Sequence, residues 1–551
     1  MPSPTARQVV DDYHQRTRHY FEGYARGPET LDWDAQPAPF RQFAGAPCQP
    51  LPLLDQAAPD SALQQALCQP FAGLDEPGPA LEPSLAHLAA LLQLALGLTA
   101  WKTLGPDRWA VRANPSSGNL HPTEAYLLLQ DFPGLADGLY HYCPERHALE
   151  QRAAYPPVAH RPQHMPRLGI LLSSVMWREA WKYGERAFRY CQLDTGHALA
   201  ALRYAAGVLG WSLQPQTAIG QQTLAGLAGL DRQEDFPARK YPETEQEEPE
   251  LLLATGFGLP PRCWTVEELQ VLAARSHWQG TASSIDRYPM YRWPVIQSVA
   301  LASRQPDTEP APPVSWPPAI RALRAGGAGQ QPVAALLGGR RSAQRFDPAH
   351  VMSRPCFASL LARLQPDAGL PWDVLDAPPR IALMFFVSRV EGLAPGLYCL
   401  PRAGQQAALC AGLDPRFSFS PVEGMPGLLQ LVELEPRWLG QMLRRLHCMQ
   451  DIAASACLAV ALLADLPAAL DDAPCRYRDL FREAGLTGQL LYLEAEAHGL
   501  RGTGIGCFFD EPVHTFLGLS GDTWQSLYHF TLGLPVPDPR ISSAPAYAGA
   551  S

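Results

Sequence analysis

Short apolar runs separated by polar turns dominate the chain, and their spacing predicts alternating strands and helices. Leu81–Leu98 carries apolar residues at helical spacing and predicts a core helix that ends at Gly97. The run AYLLL at 125–129 predicts a buried strand or a helix start. LGILLSSV at 168–175 predicts a buried strand, and 181–211, rich in small residues, predicts one long helix.

A pattern in the first half of the chain returns in the second. GLADGLYHYCPER, from Gly134, alternates tyrosines with other residues before a turn and predicts a hairpin. GLAPGLYCLPR, from Gly392, matches it. The helical stretch from Ala187 has a counterpart from Leu480, and IALMFFVSRV mirrors AYLLLQDF. The chain therefore holds two copies of one unit, each of about 250 residues.

The repeat and the proline content together predict the domain boundaries. We expect a first domain at 1–275, a linker at 276–320 and a second domain at 321–551, because TEPAPPVSWPP lies between the copies. The acidic run at 243–250 is typical of solvated surface.

Composition narrows the class of protein. The 551 residues carry a net charge of −10, which argues against nucleic acid as the main partner. There is no apolar run of about 18 residues, so no membrane span is expected. The N-terminal residues lack the apolar region of a secretory signal, and we expect a cytoplasmic protein. The twelve cysteines form no CxxC and no zinc spacing, so we expect no metal site and reduced, largely buried thiols.

The densest polar motif is RANPSSGNLHPTE, from Arg112 to Glu124. Proline and glycine fix an irregular backbone there, and short side chains lie beside exposed amides. Such a loop suits a flat ligand with polar edges; the alternative is an ordinary turn that leads into a strand. The candidate ligand-binding residues are Pro115, Ser116, Ser117, Asn119 and His121.

NPSSGNLHPTEAYLL resembles the flavin-contacting loop of the nitroreductase superfamily, and is similar to the SagB/ThcOx-type dehydrogenases within it. The resemblance implies an α+β fold that binds FMN where two like domains meet. With two tandem copies in one chain, it implies a pseudo-dimer within the chain.

The second copy carries other motifs of that superfamily. GGRRSAQRFD resembles the segment in which arginine and serine hold the FMN phosphate. Arg340 suits a bidentate donor, and Ser342 could cap a helix that presents amides to an anion; the alternative is a solvated basic helix start. TGIG resembles the loop whose main chain meets the flavin ring. The resemblance assigns cofactor binding to Arg340, Arg341, Ser342, Gln344, Gly504, Ile505, Gly506 and Arg540, although the family often has an arginine where Gln344 stands.

Each copy lacks what the other carries. The first has no RRS motif, and the stretch of the second that matches PSSGN is DVLDAPP, at 373–379. We therefore expect one good FMN site, built from PSSGN of the first domain with RRS, TGIG and Arg540 of the second, and one degenerate site.

The resemblance also points to proton-transfer residues. Lys182 and Tyr183, near the start of the predicted long helix, match a Lys-Tyr pair of the SagB/ThcOx-type enzymes. A structural role for both is the alternative. His121 could bind the flavin edge or substrate, or be structural. Asp194 and His197 share a helical face but lack the third ligand of a metal site.

These features favour an FMN-dependent oxidoreductase, a SagB/ThcOx-like dehydrogenase acting on a peptide-derived or other biosynthetic intermediate. One alternative is an NAD(P)H-dependent nitro or quinone reductase, since the superfamily binds nicotinamide without a Rossmann domain. Another is a flavin-free scaffold or maturation partner. Expected partners are a small-molecule or peptide substrate; use of NAD(P)H and association into homo-oligomers stay open.

Overall fold

The computed structural model describes residues 4–56, 58, 61–76, 78–156, 165–310, 314–317, 328–402, 404–519 and 521–548. The predicted linker therefore lies outside the described residues at 311–313 and 318–320. Among the described residues, no helix is both long and apolar enough to cross a bilayer.

The fold mixes helices with antiparallel strands, as the α+β prediction requires. The helices are α1 Ala6–Arg16, α2 Ala62–Cys68, α3 Leu85–Ala95, α4 Met176–Tyr183, α5 Ala187–Val208, α6 Gln221–Ala228, α7 Val266–Arg275, α8 Pro294–Ala302, α9 Val333–Gly339, α10 Arg354–Leu364, α11 Gln406–Gly412, α12 Pro436–Leu446, α13 Asp451–Ser455, α14 Leu466–Asp472, α15 Arg476–Ala497 and α16 Asp510–Leu517. The strands are β1 Phe43–Ala44, β2 Cys48–Pro50, β3 Leu98–Leu104, β4 Asp107–Arg112, β5 Thr123–Gln130, β6 Gly138–Cys143, β7 Ala148–Ala154, β8 Arg167–Ser174, β9 Ser212–Pro215, β10 Glu248–Gly256, β11 His277–Trp278, β12 Thr281–Ala282, β13 Ile381–Val387, β14 Gly396–Leu400, β15 Ser420–Pro421, β16 Leu429–Glu433, β17 Leu458–Asp465, β18 Arg501–Ile505, β19 Trp524–Gly533 and β20 Ser542–Ala544.

The chain divides into two compact units, and each unit is assembled from segments that are separate in sequence. The first unit comprises 26–69, 76–313 and 543–551, and the second comprises 1–25, 70–75 and 314–542. The residues before 26 thus group with the second copy rather than with the first.

Each unit is built on an antiparallel sheet with the same order of strands. The first unit has β6, β5, β8, β10 and β9 as neighbours, and the second has β14, β13, β17, β19 and β18. A helix of 22 residues follows the central strand region in both, α5 in one and α15 in the other. The internal repeat read from the sequence is therefore present in the fold.

The predicted strands and hairpin are confirmed. β6 and β7 pair as a hairpin over the turn at 144–147, and AYLLL lies in β5, which is buried along its whole length. β8, the predicted 168–175 strand, pairs with β5 and β10. Strands buried on both faces read as continuous apolar runs, which is why these were recognisable.

The long helix predicted at 181–211 is wrong at its start. α4 ends at Tyr183, and Gly184 takes φ 56° and ψ −132° before α5 begins. A Cβ on Gly184 would lie 2.5 Å from the carbonyl oxygen of Arg26. The chain therefore breaks here because another backbone segment approaches too closely for any side chain.

The acidic run at 243–250 is not solvated surface, and that prediction was wrong. Glu245, Glu247 and Glu250 are buried in or beside β10. The Arg41 guanidinium donates to Glu247 through Nε at 3.0 Å, and Tyr126 and Ser173 donate to its other oxygen. Buried carboxylates persist only when they are paired in this way.

Part of the predicted linker is folded. Residues 277–302 contain β11, β12 and α8, and Trp293, Ile296 and Val299 are buried. Proline at the first turn of α8 is compatible with a helix because that position needs no amide donor. The proline content of this stretch was therefore a poor guide to its structure.

Candidate functional site

The PSSGN loop connects β4 to β5 in an unusual backbone conformation. Gly118, Asn119 and His121 have φ of 59°, 60° and 57°, in the left-handed region that costs energy for residues with a Cβ. Side chains of the loop hold this shape. The Asn119 amide donates to the Ala110 carbonyl at 2.8 Å, and the Ser116 hydroxyl accepts from the His121 amide at 2.8 Å.

Asp194 on α5 holds the PSSGN loop by accepting hydrogen bonds from Ser117. Its carboxylate accepts from the Ser117 amide at 3.0 Å and from the Ser117 hydroxyl at 2.9 Å. Burial raises the pKa of Asp194 to about 7, although the hydrogen bonds from Ser116 and Ser117 oppose the rise. From the sequence, Asp194 was considered only as a metal ligand and was rejected, so its role in holding the loop was missed.

Lys182 and Tyr183 lie against the same loop. A Cβ built on Gly118 would be 2.6 Å from the Tyr183 hydroxyl oxygen and 3.2 Å from Lys182 Nζ. The fold thus brings the predicted catalytic pair to the predicted ligand-binding loop within one unit. Burial lowers the pKa of Lys182, and its ammonium lies 5.3 Å from the ring centre of Trp33.

Glu179 is a further acid in this region that sequence reasoning missed. It is fully buried, and neither carboxyl oxygen has a hydrogen-bond partner among the described residues. Burial raises the pKa of Glu179 well above its usual value, the charge of Asp194 raises it further, and Lys182 opposes both. Its position three residues before Lys182 on a helix was the available signal.

His121 supports the loop within the first unit. Its ring stacks on Phe40 with centroids 5.9 Å apart, and Nε2 lies 3.3 Å from the Ala110 carbonyl oxygen. Burial and the charge of Arg112 lower the pKa of His121 to about 3, so the ring is neutral. Pro115 is half-buried at the start of the loop.

In the second unit, the RRS motif meets the TGIG strand through Tyr492 of α15. The Ser342 hydroxyl lies 2.8 Å from the Tyr492 hydroxyl, which also accepts from the Gly504 amide at 3.0 Å. The Arg340 guanidinium lies 4.9 Å from the centre of the same ring. Three of the predicted cofactor-binding residues are therefore brought together.

The predicted helix cap at Ser342 is wrong. The motif follows the end of α9, so Arg340 stands at a helix C-terminus, and residues 341–350 form no helix. The Ala343 amide instead donates to the Gly502 carbonyl at 3.0 Å, which lays the motif along β18.

Three arginines lie together here, of which Arg340 is buried and Arg341 and Arg501 are half-buried. Arg340 is 2% exposed, and the Arg341 amide donates to the Glu496 carboxylate, which Arg501 also contacts. Burial lowers the pKa of Arg341 to about 10, and the positive charges of Arg340 and Arg501 lower it further. A phosphate dianion would relieve this repulsion and accept several charge-assisted hydrogen bonds, so the residues present fit the phosphate of FMN.

The remaining predicted residues of this unit lie in two places. Gln344 and Arg540 line a surface cavity of about 410 Å³ with Arg345, and the exposed Arg540 side chain pairs with Asp538. Ile505 packs into the apolar core beneath the sheet, and Gly506 follows it in the loop after β18.

Comparisons with known proteins agree with this architecture. No protein-family model matches the chain. A curated protein of Methanocaldococcus jannaschii, named as a nitroreductase, is 27% identical over 135 residues, which is 23% of this chain and 65% of that protein. The chain thus matches a little under two thirds of the length of that relative.

Solved structures extend the likeness to the whole chain. A crystal structure from Anabaena variabilis, also named as a nitroreductase, matches with TM-score 0.67 and 21% identity, over 96% of this chain and 99% of that one. The Escherichia coli microcin synthetase complex McbBCD, solved with truncated pro-MccB17, matches at TM-score 0.28 and 17% identity over 36% of this chain and 70% of that one. The first shows that this chain has a nitroreductase-like fold.

Proposed function

We propose that this chain is an FMN-dependent oxidoreductase. The observation that carries the proposal is the arginine cluster of the buried Arg340 with the half-buried Arg341 and Arg501, joined through Tyr492 to the TGIG strand. Holding like charges close together, one of them buried, is costly, and a bound anion offsets that cost. The nitroreductase-like fold supports FMN as the anion's source.

Within this proposal, Arg340, Arg341 and Ser342 bind the phosphate, and the PSSGN loop contacts the ring system. FMN when bound supplies two-electron redox chemistry. The protein's own residues orient it and move protons. The sequence prediction that the two sets of motifs serve one flavin stays a prediction.

Lys182 and Tyr183 are proposed to move the proton that accompanies oxidation of the substrate. Burial favours the neutral amine of Lys182, which can then accept a proton and return it. Glu179, a buried acid of raised pKa one helical turn away, would hold a proton close to Lys182. The Tyr183 hydroxyl lies at the Gly118 backbone, where a ligand on the loop would be within reach.

We propose a SagB/ThcOx-like dehydrogenase of a peptide-derived or other biosynthetic intermediate, on the strength of NPSSGNLHPTE and the Lys-Tyr pair. The second candidate is an NAD(P)H-dependent nitro or quinone reductase, favoured by the likeness to proteins named as nitroreductases. Oxidation of NAD(P)H in the presence of nitroaromatics or quinones supports the reductase; its absence, with oxidation of an azoline-containing peptide, supports the dehydrogenase.

The test of FMN binding is a comparison of Arg340→Ala with Arg416→Ala, an exposed arginine of the same unit. Loss of a buried charge-assisted partner costs roughly 1.5–3 kcal/mol, which raises the dissociation constant of FMN about 10- to 150-fold. The control should bind like the wild type. Equal titration curves for both variants would remove Arg340 from the site, and a colourless wild-type protein that binds no added FMN would favour the scaffold alternative.

A further inference from the structure

Two cysteines far apart in sequence meet beside the TGIG strand. Cys507 follows Gly506 in the loop after β18, and Cys448 lies in the turn between α12 and α13. Their sulfur atoms are 2.7 Å apart, inside the van der Waals separation of two thiols. The contact thus places both sulfurs where a bond between them needs only a small movement.

The turn that carries Cys448 is held in a costly conformation. Cys448 and Met449 have φ of 52° and 61°, so two successive side-chain-bearing residues are left-handed. A left-handed residue that carries a Cβ is strained and persists only where its surroundings impose it. In this turn, the Cys448 sulfur lies against that of Cys507.

Flanking hydrogen bonds fix the two segments to each other. The Phe509 amide donates to the Leu446 carbonyl at 2.9 Å, and the Gln450 side-chain amide donates to the Cys507 carbonyl at 3.1 Å. These bonds lie on both sides of Cys448. The proximity of the two cysteine-bearing segments is therefore built into the backbone.

The pair is accessible to a small reagent. Both cysteines are half-buried, whereas Cys143, Cys191, Cys399 and Cys457 are buried. With only four of the twelve buried, the expectation of largely buried thiols was wrong. Tyr24 hydrogen-bonds Cys448 and stacks on Phe509 with ring centroids 5.3 Å apart, while 59% of its own surface is exposed.

We propose that Cys448 and Cys507 form a redox-modification site that closes reversibly to a disulfide by exchange with low-molecular-weight disulfides such as oxidised glutathione. The thiolate of one cysteine attacks the small disulfide, forming a mixed disulfide and releasing one thiolate, which takes up a proton. The second cysteine, deprotonated to solvent, attacks the protein sulfur of that bond and releases the second small thiol. Two protein thiols are oxidised by two electrons, and one small disulfide is reduced to two thiols.

The direct consequence is a covalent link between the TGIG loop and the turn after α12. The segment from Ile505 to Phe509 would then be tied to Cys448 in addition to its hydrogen bonds. This proposal does not depend on the proposed function, because exchange needs only the two thiols and the small disulfide.

The experiment treats the full-length protein with oxidised glutathione, blocks remaining thiols by alkylation and maps peptides by mass spectrometry. We expect one peptide pair joining Cys448 to Cys507, lighter by two hydrogens than the reduced pair, and its loss after dithiothreitol. Cys448→Ser and Cys507→Ser should each abolish the link and leave the other cysteine as a stable glutathione adduct. Cys410→Ser, a half-buried control of the same unit, should keep it.

Protection of the wild-type protein gives a second measurement that needs no variant to fold. Oxidised protein should lose alkylation at Cys448 and Cys507 together and regain it together on reduction. Glutathione adducts at the exposed Cys48 and Cys68 with no link between Cys448 and Cys507 would overturn the proposal. Independent loss of alkylation at the two positions would overturn it as well.

Discussion

Asp194→Asn tests whether a buried acid governs the stability of the PSSGN loop. The substitution keeps an oxygen that can accept from the Ser117 amide and hydroxyl, which now donate to Asp194 at 3.0 and 2.9 Å. It removes the ionisable group. The variant therefore separates the charge of Asp194 from its hydrogen bonds.

The magnitude follows from the pKa of Asp194, which is about 7 in the folded chain against 3.8 for the ordinary side chain. One pKa unit corresponds to about 1.4 kcal/mol, so a shift of roughly three units is worth about 4 kcal/mol of unfolding free energy. The sign is set by proton uptake. Between about pH 4 and about pH 7 the folded chain keeps a proton that the unfolded chain has lost.

The wild type should therefore lose stability relative to Asp194→Asn as the pH rises from about 4 to about 7, and the difference should level off above that. Denaturant unfolding at a series of pH values measures this difference in stability. Hydrogen exchange of peptides that cover the loop and β5 then follows it locally. Asp107→Asn, at an exposed position of β4 in the same unit, is the control. If Asp194→Asn and the wild type change in parallel with pH, the buried-acid argument is refuted.

The other predictions concern the loop, the proton carriers and the cofactor count. Gly118→Ala should lower the melting temperature and slow turnover, because its Cβ would lie 2.6 Å from the Tyr183 hydroxyl; Gly105→Ala, at φ 58° with open space around it, controls for backbone strain alone, and equal effects of the two would exclude the contact. Tyr183→Phe and Lys182→Ala should keep FMN bound while turnover of the true substrate falls by ~10² or more for at least one of them. Tyr288→Phe, at an exposed tyrosine, should be silent, and wild-type rates in both test variants would direct the search for the proton carrier to Glu179. Because each copy carries half of the motifs, FMN released by heat should amount to one per chain, and two tightly bound FMN per chain would contradict the complementary motifs.

The elements predicted correctly from the sequence depend on neighbouring residues alone. The hairpin of β6 and β7 follows from alternation and a short turn, and the buried strands follow from unbroken apolar runs. The repeat was visible because both copies kept the same pattern around the same turn. Such features need no knowledge of what packs against them.

The elements predicted wrongly depend on partners that are distant in sequence. The acidic run forms β10 and the residues beside it because arginines that are distant in sequence pair with its carboxylates. Arg41 lies about 200 residues before the run, and Arg304 lies 56 residues after Glu248. Gly184 breaks the helix because the backbone at Arg26 approaches it. The role of Asp194 was missed because it accepts a hydrogen bond from Ser117, which lies 77 residues earlier. None of these partners leaves a local signal.

The division of the chain has a consequence for the order in which the protein can be assembled during synthesis. α1 is synthesised before the first sheet, yet its His14 hydrogen-bonds the Tyr477 hydroxyl and the Gln525 side chain, both at 3.1 Å. Those partners are made more than 450 residues later, after the whole first sheet. α1 must therefore wait for α15 and β19, so its apolar face stays exposed while the residues between them are made, and the second unit is slow to complete.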